Sequence, residues 1–125
     1  LDIAVKYDTT TLKQDETLTG RVTLRYNRPG KAMMTIVGLG IPPGFEVLAE
    51  SFDQLKSDGL IERYSVAARQ VILYFREIES GRPVEFSFQM KAKYPVRAKT
   101  PPSTAYQYYE PEIRNQAEPV VLTVE

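Results

Sequence analysis

Hydrophobic and polar positions alternate with a period of two along most of this chain. In Arg21-Val22-Thr23-Leu24-Arg25-Tyr26 the residues Val22, Leu24 and Tyr26 share one face, and charged or hydroxyl residues take the other. That is the signature of a half-buried strand. Val84, Phe86, Phe88 and Met90 repeat it. Ala32 to Leu39 and Val71-Ile72-Leu73-Tyr74-Phe75 are more continuous apolar runs, as expected of strands buried on both faces. Asn27-Arg28-Pro29-Gly30 predicts a turn joining strands 21–26 and 32–39 into a hairpin, since Pro presets φ and Gly tolerates positive φ. A second hairpin is predicted over 61–66 and 70–75, and Ser80-Gly81-Arg82-Pro83 makes the next turn. Residues 3–7, 103–109 and 120–124 complete a set of about eight short strands, which indicates an all-β antiparallel β-sandwich. The proline-dense stretch from Tyr94-Pro95 to Pro101-Pro102 reads as a crossover or an edge, because proline lacks the ladder donor.

One segment breaks the alternation. Leu48, Phe52 and Leu55 fall at helical spacing, so a short inserted α-helix is predicted over 52–57 with that stripe against the sandwich. Ser51 and Gln54 have capping-box spacing, and Gly59 stands where a left-handed C-terminal cap belongs. The outer face is acidic, with Glu46, Glu50, Asp53 and Asp58 against Lys56. A solvated face is the default reading; Glu50, Asp53 and Lys56 are the candidate partner-binding residues on it.

The strand Tyr106-Gln107-Tyr108-Tyr109 is aromatic and runs into Glu110-Pro111-Glu112. Alternation places Tyr106 and Tyr108 on one face and Tyr109 on the other, so either Tyr108 or Tyr109 is expected inside. Glu110 and Glu112, two apart, would share a face on a strand, as a glycosidase pair or calcium ligands need. Pro111 between them predicts a solvated turn instead.

Composition narrows the chemistry. A chain of 125 residues suits a single domain, which buries roughly two-thirds of its unfolded surface without disulfides. Sixteen basic residues balance sixteen acidic ones, giving no general field for nucleic acid or an anionic membrane. No apolar run approaches the roughly 20 residues of a membrane helix. Histidine and cysteine are absent, which removes Ser-His-Asp and Cys-His catalysis, thiol redox chemistry and the usual zinc sets. No catalytic residue, cofactor site or metal site is assigned. Without Trp or a Cys pair the antibody-domain hallmarks are missing too. The chain begins with Leu and a strand pattern, and is read as a single domain, 1–125, excised from a larger protein.

Four segments taken in order resemble one family. Thr35-Ile36-Val37-Gly38-Leu39-Gly40-Ile41-Pro42-Pro43-Gly44-Phe45 resembles its strand-to-loop passage ending in Gly-Phe, and the helical stretch Leu48–Gly59 follows at the expected place. Ile61–Val66 and Val71–Phe75 resemble the paired strands after the helix. Pro102-Ser103-Thr104-Ala105-Tyr106-Gln107-Tyr108-Tyr109-Glu110-Pro111 resembles the ending Pro-x-x-Val-x-Val-Tyr-x-Tyr-Tyr-Glu. The family is the C-terminal receptor-binding domain of the α-macroglobulins and their complement and thioester-protein relatives, and the resemblance covers about Val22 to Glu112.

The resemblance implies a macroglobulin/immunoglobulin-like β-sandwich with an inserted helix, set in a secreted or cell-envelope protease trap. There it packs against the thioester domain and neighbouring macroglobulin domains until the bait region is cut. It implies that Tyr108, Tyr109 and Ile41 contact the thioester domain and keep water off the thioester. The two lysines that dock some members into an endocytic receptor correspond to Ala49 and Asp53, so that docking is not carried over. A different cell-surface receptor stays open. The alternative is a free-standing adhesive or carbohydrate-binding sandwich whose tyrosines stack on sugars.

Overall fold

The computed structural model describes residues 1–112 and 114–125. Its four-stranded sheet runs β1 (Asp2–Tyr7), β3 (Thr17–Arg25), β8 (Val84–Ala92), β5 (Phe45–Val47) from edge to edge. Its five-stranded sheet runs β11 (Arg114–Ala117), β10 (Ser103–Gln107), β4 (Lys31–Gly40), β7 (Gln70–Glu79), β6 (Arg63–Val66). A third sheet joins three short strands, β2 (Thr11–Leu12), β12 (Val121–Val124) and β9 (Val96–Lys99), the last two following a proline. All pairings are antiparallel except β2 with β12.

The two larger sheets face each other through the residues that alternation marks as apolar. Val22, Leu24, Phe86, Phe88 and Met90 are buried on one side, and Val37, Leu39, Val71, Leu73 and Phe75 on the other. The rings of Phe75 and Phe86 meet across the gap at 6.0 Å. Burying a side chain of this kind contributes about 1.5–3 kcal/mol, so this interface is the main source of stability.

The hairpin expected from 21–26 and 32–39 does not form. β3 pairs with β1 and β8, whereas β4 pairs with β7 and β10, so Asn27–Gly30 is an arch between sheets. A Pro-Gly turn reverses the chain equally well in either setting, and here both strands have better partners elsewhere. The Ser80–Pro83 turn is a second arch beside it, and the Ser80 N–H donates to the Gly30 carbonyl at 2.9 Å. The hairpin of β6 and β7 does form. The segments 96–99, 11–12, 45–47 and 114–117 add strands that alternation did not reveal.

Helix α1 spans Glu50–Ser57 and starts two residues earlier than expected. Ala49 is its N-cap and supplies no side-chain cap. Ser51 therefore lies inside the first turn, and its Oγ accepts the Gln89 N–H of β8 at 3.2 Å instead of closing a capping box. The C-terminus matches expectation. Gly59 takes a φ of +79°, its N–H reaches the Lys56 carbonyl, and the Leu60 N–H reaches that of Leu55. These two bonds satisfy carbonyls otherwise left open at a helix end. Phe52 is the helix's one buried residue, with its ring 5.5 Å from Tyr64 of β6 and 6.0 Å from Phe88 of β8. The helix thereby bridges edge strand β6 of one sheet and β8 of the other.

Candidate functional site

The two large sheets differ in what they show to solvent. Outward rows on the four-stranded sheet read Lys6-Arg21-Ser87 and Ala4-Thr23-Glu85. On the five-stranded sheet, register aligns Arg63, Tyr74, Ile36, Tyr106 and Arg114 in one row across every strand. Ile36, Tyr74 and Tyr106 are half-buried. The Arg63 guanidinium lies 4.3 Å from the centre of the Tyr74 ring, and that of Arg114 lies 4.5 Å from the centre of Tyr106. Each cation rests on the negative face of a π system.

One end of this face is built by a break in the pleat. In β4 Ala32 is buried, Met33 and Met34 are exposed, and Thr35, Val37 and Leu39 are buried. In β7 the same change of phase separates buried Phe75 from buried Ile78, with Arg76 and Glu77 between them. Met34 takes a φ of +52°, a left-handed conformation that costs a side-chain-bearing residue roughly 1–2 kcal/mol. Strain of this kind concentrates at functional sites. It turns two consecutive side chains of a central strand outward, and Met34 is 43% exposed.

Tyr108 and Tyr109 sit beside Met34. β10 ends at Gln107, and a turn follows in which the Glu110 N–H donates to the Gln107 carbonyl at 3.0 Å. The Tyr108 N–H donates to the Met34 carbonyl at 2.8 Å. The expectation that one tyrosine is inside is corrected: Tyr108 is 60% and Tyr109 72% exposed. Strand alternation stops applying where the turn before Pro111 begins, so neither ring is directed to the core. The rings meet edge to face, 5.4 Å apart at 87°. A groove of about 540 Å³ next to them is lined by Met34, Ile36, Glu62, Arg63, Tyr74 and Tyr108.

The other expected site residues lie apart from this groove. Ile41 is only 4% exposed and belongs to the core; its N–H donates to the Arg69 carbonyl, so its side chain has no surface to offer a neighbour. Glu110 is half-buried at a recess of about 320 Å³ shared with Leu1, Tyr26 and Asn27, while Glu112 is exposed in the turn. Among the described residues no three carboxylates cluster as a metal site would require. On the helix, Asp53 accepts from the Tyr64 hydroxyl at 2.5 Å. That bond, which stabilises the neutral phenol, raises the pKa of Tyr64 first, with smaller contributions from burial and the charges of Asp53 and Glu50. Asp58 accepts from Gln54, and Glu46 belongs to β5, where it pairs with Lys93 at 3.1 Å. Of the candidate face, Glu50 lies in the first turn of α1 and Lys56 in the last, where their charges complement the helix dipole.

Met34, Tyr74, Arg63 and Arg114 escaped sequence reasoning. They converge only through the register of five strands, and the apolar, aromatic character of Met33-Met34 and Tyr74 reads equally well as core.

A family model described as the A-macroglobulin receptor binding domain matches residues 30–119. Complement C3 of Eptatretus burgeri is 26% identical over 93 residues, covering 72% of this chain and 6% of that protein. The native conformation of Escherichia coli alpha-2-macroglobulin superposes with a TM-score of 0.83 at 13% identity, covering 99% of this chain and 9% of the other. Salmonella alpha-2-macroglobulin reacted with methylamine gives 0.79 at 16% identity, covering 98% and 9%. At these identities the structural likeness establishes the sandwich fold. The chain spans a small fraction of each of these proteins.

Proposed function

The chain belongs to the A-macroglobulin receptor binding domain family, and from that premise we propose that it is a non-catalytic module of a larger thioester protein of the α-macroglobulin type. In this reading it packs on the thioester domain of its parent and becomes an exposed recognition surface after activation. The parent is a secreted or periplasmic protein of protease trapping or innate defence. It carries a Gly-Cys-Gly-Glu-Gln or Cys-Leu-Glu-Gln-like segment upstream, or a degenerate remnant of one.

The observation that carries this reading is the convergence of Met34, Tyr74 and Tyr108 on one groove beside Tyr109. Keeping water from a reactive ester needs broad, rigid apolar area, which aromatic rings supply at little entropic cost. Endocytic docking through lysines is not part of this proposal, because Ala49 caps the helix and Asp53 is bonded to Tyr64.

The test is thioester hydrolysis in the intact parent, followed as thiol release. Tyr108→Ala and Met34→Ala each raise the rate, on the order of tenfold for the loss of about 1.4 kcal/mol of contact. The unfolding midpoint of the domain stays within about 0.5 kcal/mol, as for exposed side chains generally. Unchanged hydrolysis in Met34→Ala, Tyr108→Ala and Tyr109→Ala would refute the shielding role.

A further inference from the structure

We propose that the open face of the five-stranded sheet holds its neighbour through two fixed cationic ends. Arg63 and Arg114 each receive a carboxylate from the thioester domain, and apolar side chains of that domain fill the strip between them. This rests on the packing proposed above and specifies the chemistry of the partner surface.

Three observations carry it. First, the two outward faces are unlike: the four-stranded sheet shows Lys6, Arg21, Ser87, Thr23 and Glu85, a surface suited to water, whereas this one shows half-buried Ile36, Ile72, Tyr74 and Tyr106. Second, the apolar strip ends in a cation on both sides. Neither Arg63 nor Arg114 takes part in the ion pairs formed among the described residues, which use Lys31, Arg82 and Lys93. A guanidinium held over a ring engages it through its π face, which leaves N–H groups at its edge free for a carboxylate. Among the described residues Arg114 donates through Nε, to the Pro111 carbonyl. Third, Arg63 lines the same groove as Met34 and Tyr108, so the face continues the proposed contact.

The register fixes the spacing. Arg63 and Arg114 lie on the two edge strands of one row, four strand intervals or about 19 Å apart. A second depression of about 200 Å³ lies between Ile72, Thr104, Tyr106 and Arg114, with the Gln70 side chain over Gly38, and is a polar seat beside the apolar strip. The partner surface is therefore two carboxylates flanking an apolar ridge, set within the span of about 19 Å between the two edge strands.

The experiment is arginine modification with phenylglyoxal, read by mass spectrometry, on the intact parent and on the parent after protease activation. Arg63 and Arg114 are expected to react several-fold more slowly in the intact protein. Arg21 and Arg25, on the opposite face, react alike in both. In the same parent, Arg63→Ala combined with Arg114→Ala flattens the salt dependence of thioester hydrolysis, and Arg21→Ala leaves it unchanged. Equal labelling of Arg63 and Arg114 in the two states overturns the proposal. If radical footprinting then still finds Tyr108 and Met34 protected, the packing reading survives alone; if it does not, both fall. Protection of the two arginines in this chain by itself, growing with its concentration, would identify a second copy as the occupant and also overturn the proposal.

Discussion

Phe52→Ala tests how the helix is attached. Phe52 is fully buried and is the helix's one buried residue, touching Tyr64 on β6 of one sheet and Phe88 on β8 of the other. The lost transfer free energy is about 2–3 kcal/mol, and the cavity left behind brings Phe→Ala costs to about 3–5 kcal/mol. The site lies at the side of the sandwich, where an eight-residue helix can sink or detach, so the lower half of that range is expected. A helix this short does not persist in water by itself. Urea unfolding followed by far-ultraviolet circular dichroism should therefore show a midpoint lower by the equivalent of about 3–4 kcal/mol. Thermal unfolding should fall by roughly 10–15 °C for a domain of this size. Near-native strand signal with lost helical signal before the main transition would mark the detached helix. A loss below about 1 kcal/mol would refute the argument, since it would mean that the hydrogen bonds joining Gln89 to the Ser51 hydroxyl and to the Leu48 N–H hold the helix without the ring.

Two further outcomes follow from close packing and burial. Gly40→Ala would place a Cβ 2.1 Å from the Pro101 carbonyl oxygen, a backbone atom that cannot swing aside. A loss of about 2–4 kcal/mol in urea unfolding is expected, and a neutral result would mean that the approach of β4 to Pro101 is looser than described. Burial, partly offset by a hydrogen bond with Thr100, pushes the Tyr7 hydroxyl from 10.0 up to about 12. Below pH 10 the folded and unfolded chains both keep this proton, so its contribution to stability is whole. Between pH 10 and 12 the unfolded chain releases it first, and stability falls by an amount on the order of 1–3 kcal/mol before levelling. Tyr7→Phe should remove that component of the alkaline slope, which urea midpoints measured across this range will show.

The sandwich was legible because its inner face is dense and regular. Val22, Leu24, Phe86, Phe88 and Met90 alternate so cleanly that one reading satisfies all of them. The route between sheets was not legible, because Asn27–Gly30 carries the same turn chemistry whether it makes a hairpin or an arch. Arg114–Ala117 hid as a strand, being polar and at an edge, where pairing alone defines it. The tyrosines were given the wrong geometry: the strand ends before Pro111, early enough that Tyr108 and Tyr109 escape its alternation. The row from Arg63 to Arg114 joins residues 51 positions apart in the sequence, and no local pattern encodes such a line.

The left-handed Met34 has a consequence for how this domain can change over generations. A strand in strict phase ties each outward residue to an inward neighbour, so altering one disturbs the packing of the next. At the phase break two adjacent side chains face out on β4, and two more do so opposite them on β7. Substitutions there are screened hardly at all by the core. The domain can vary its surface at that corner while the sandwich beneath it stays the same.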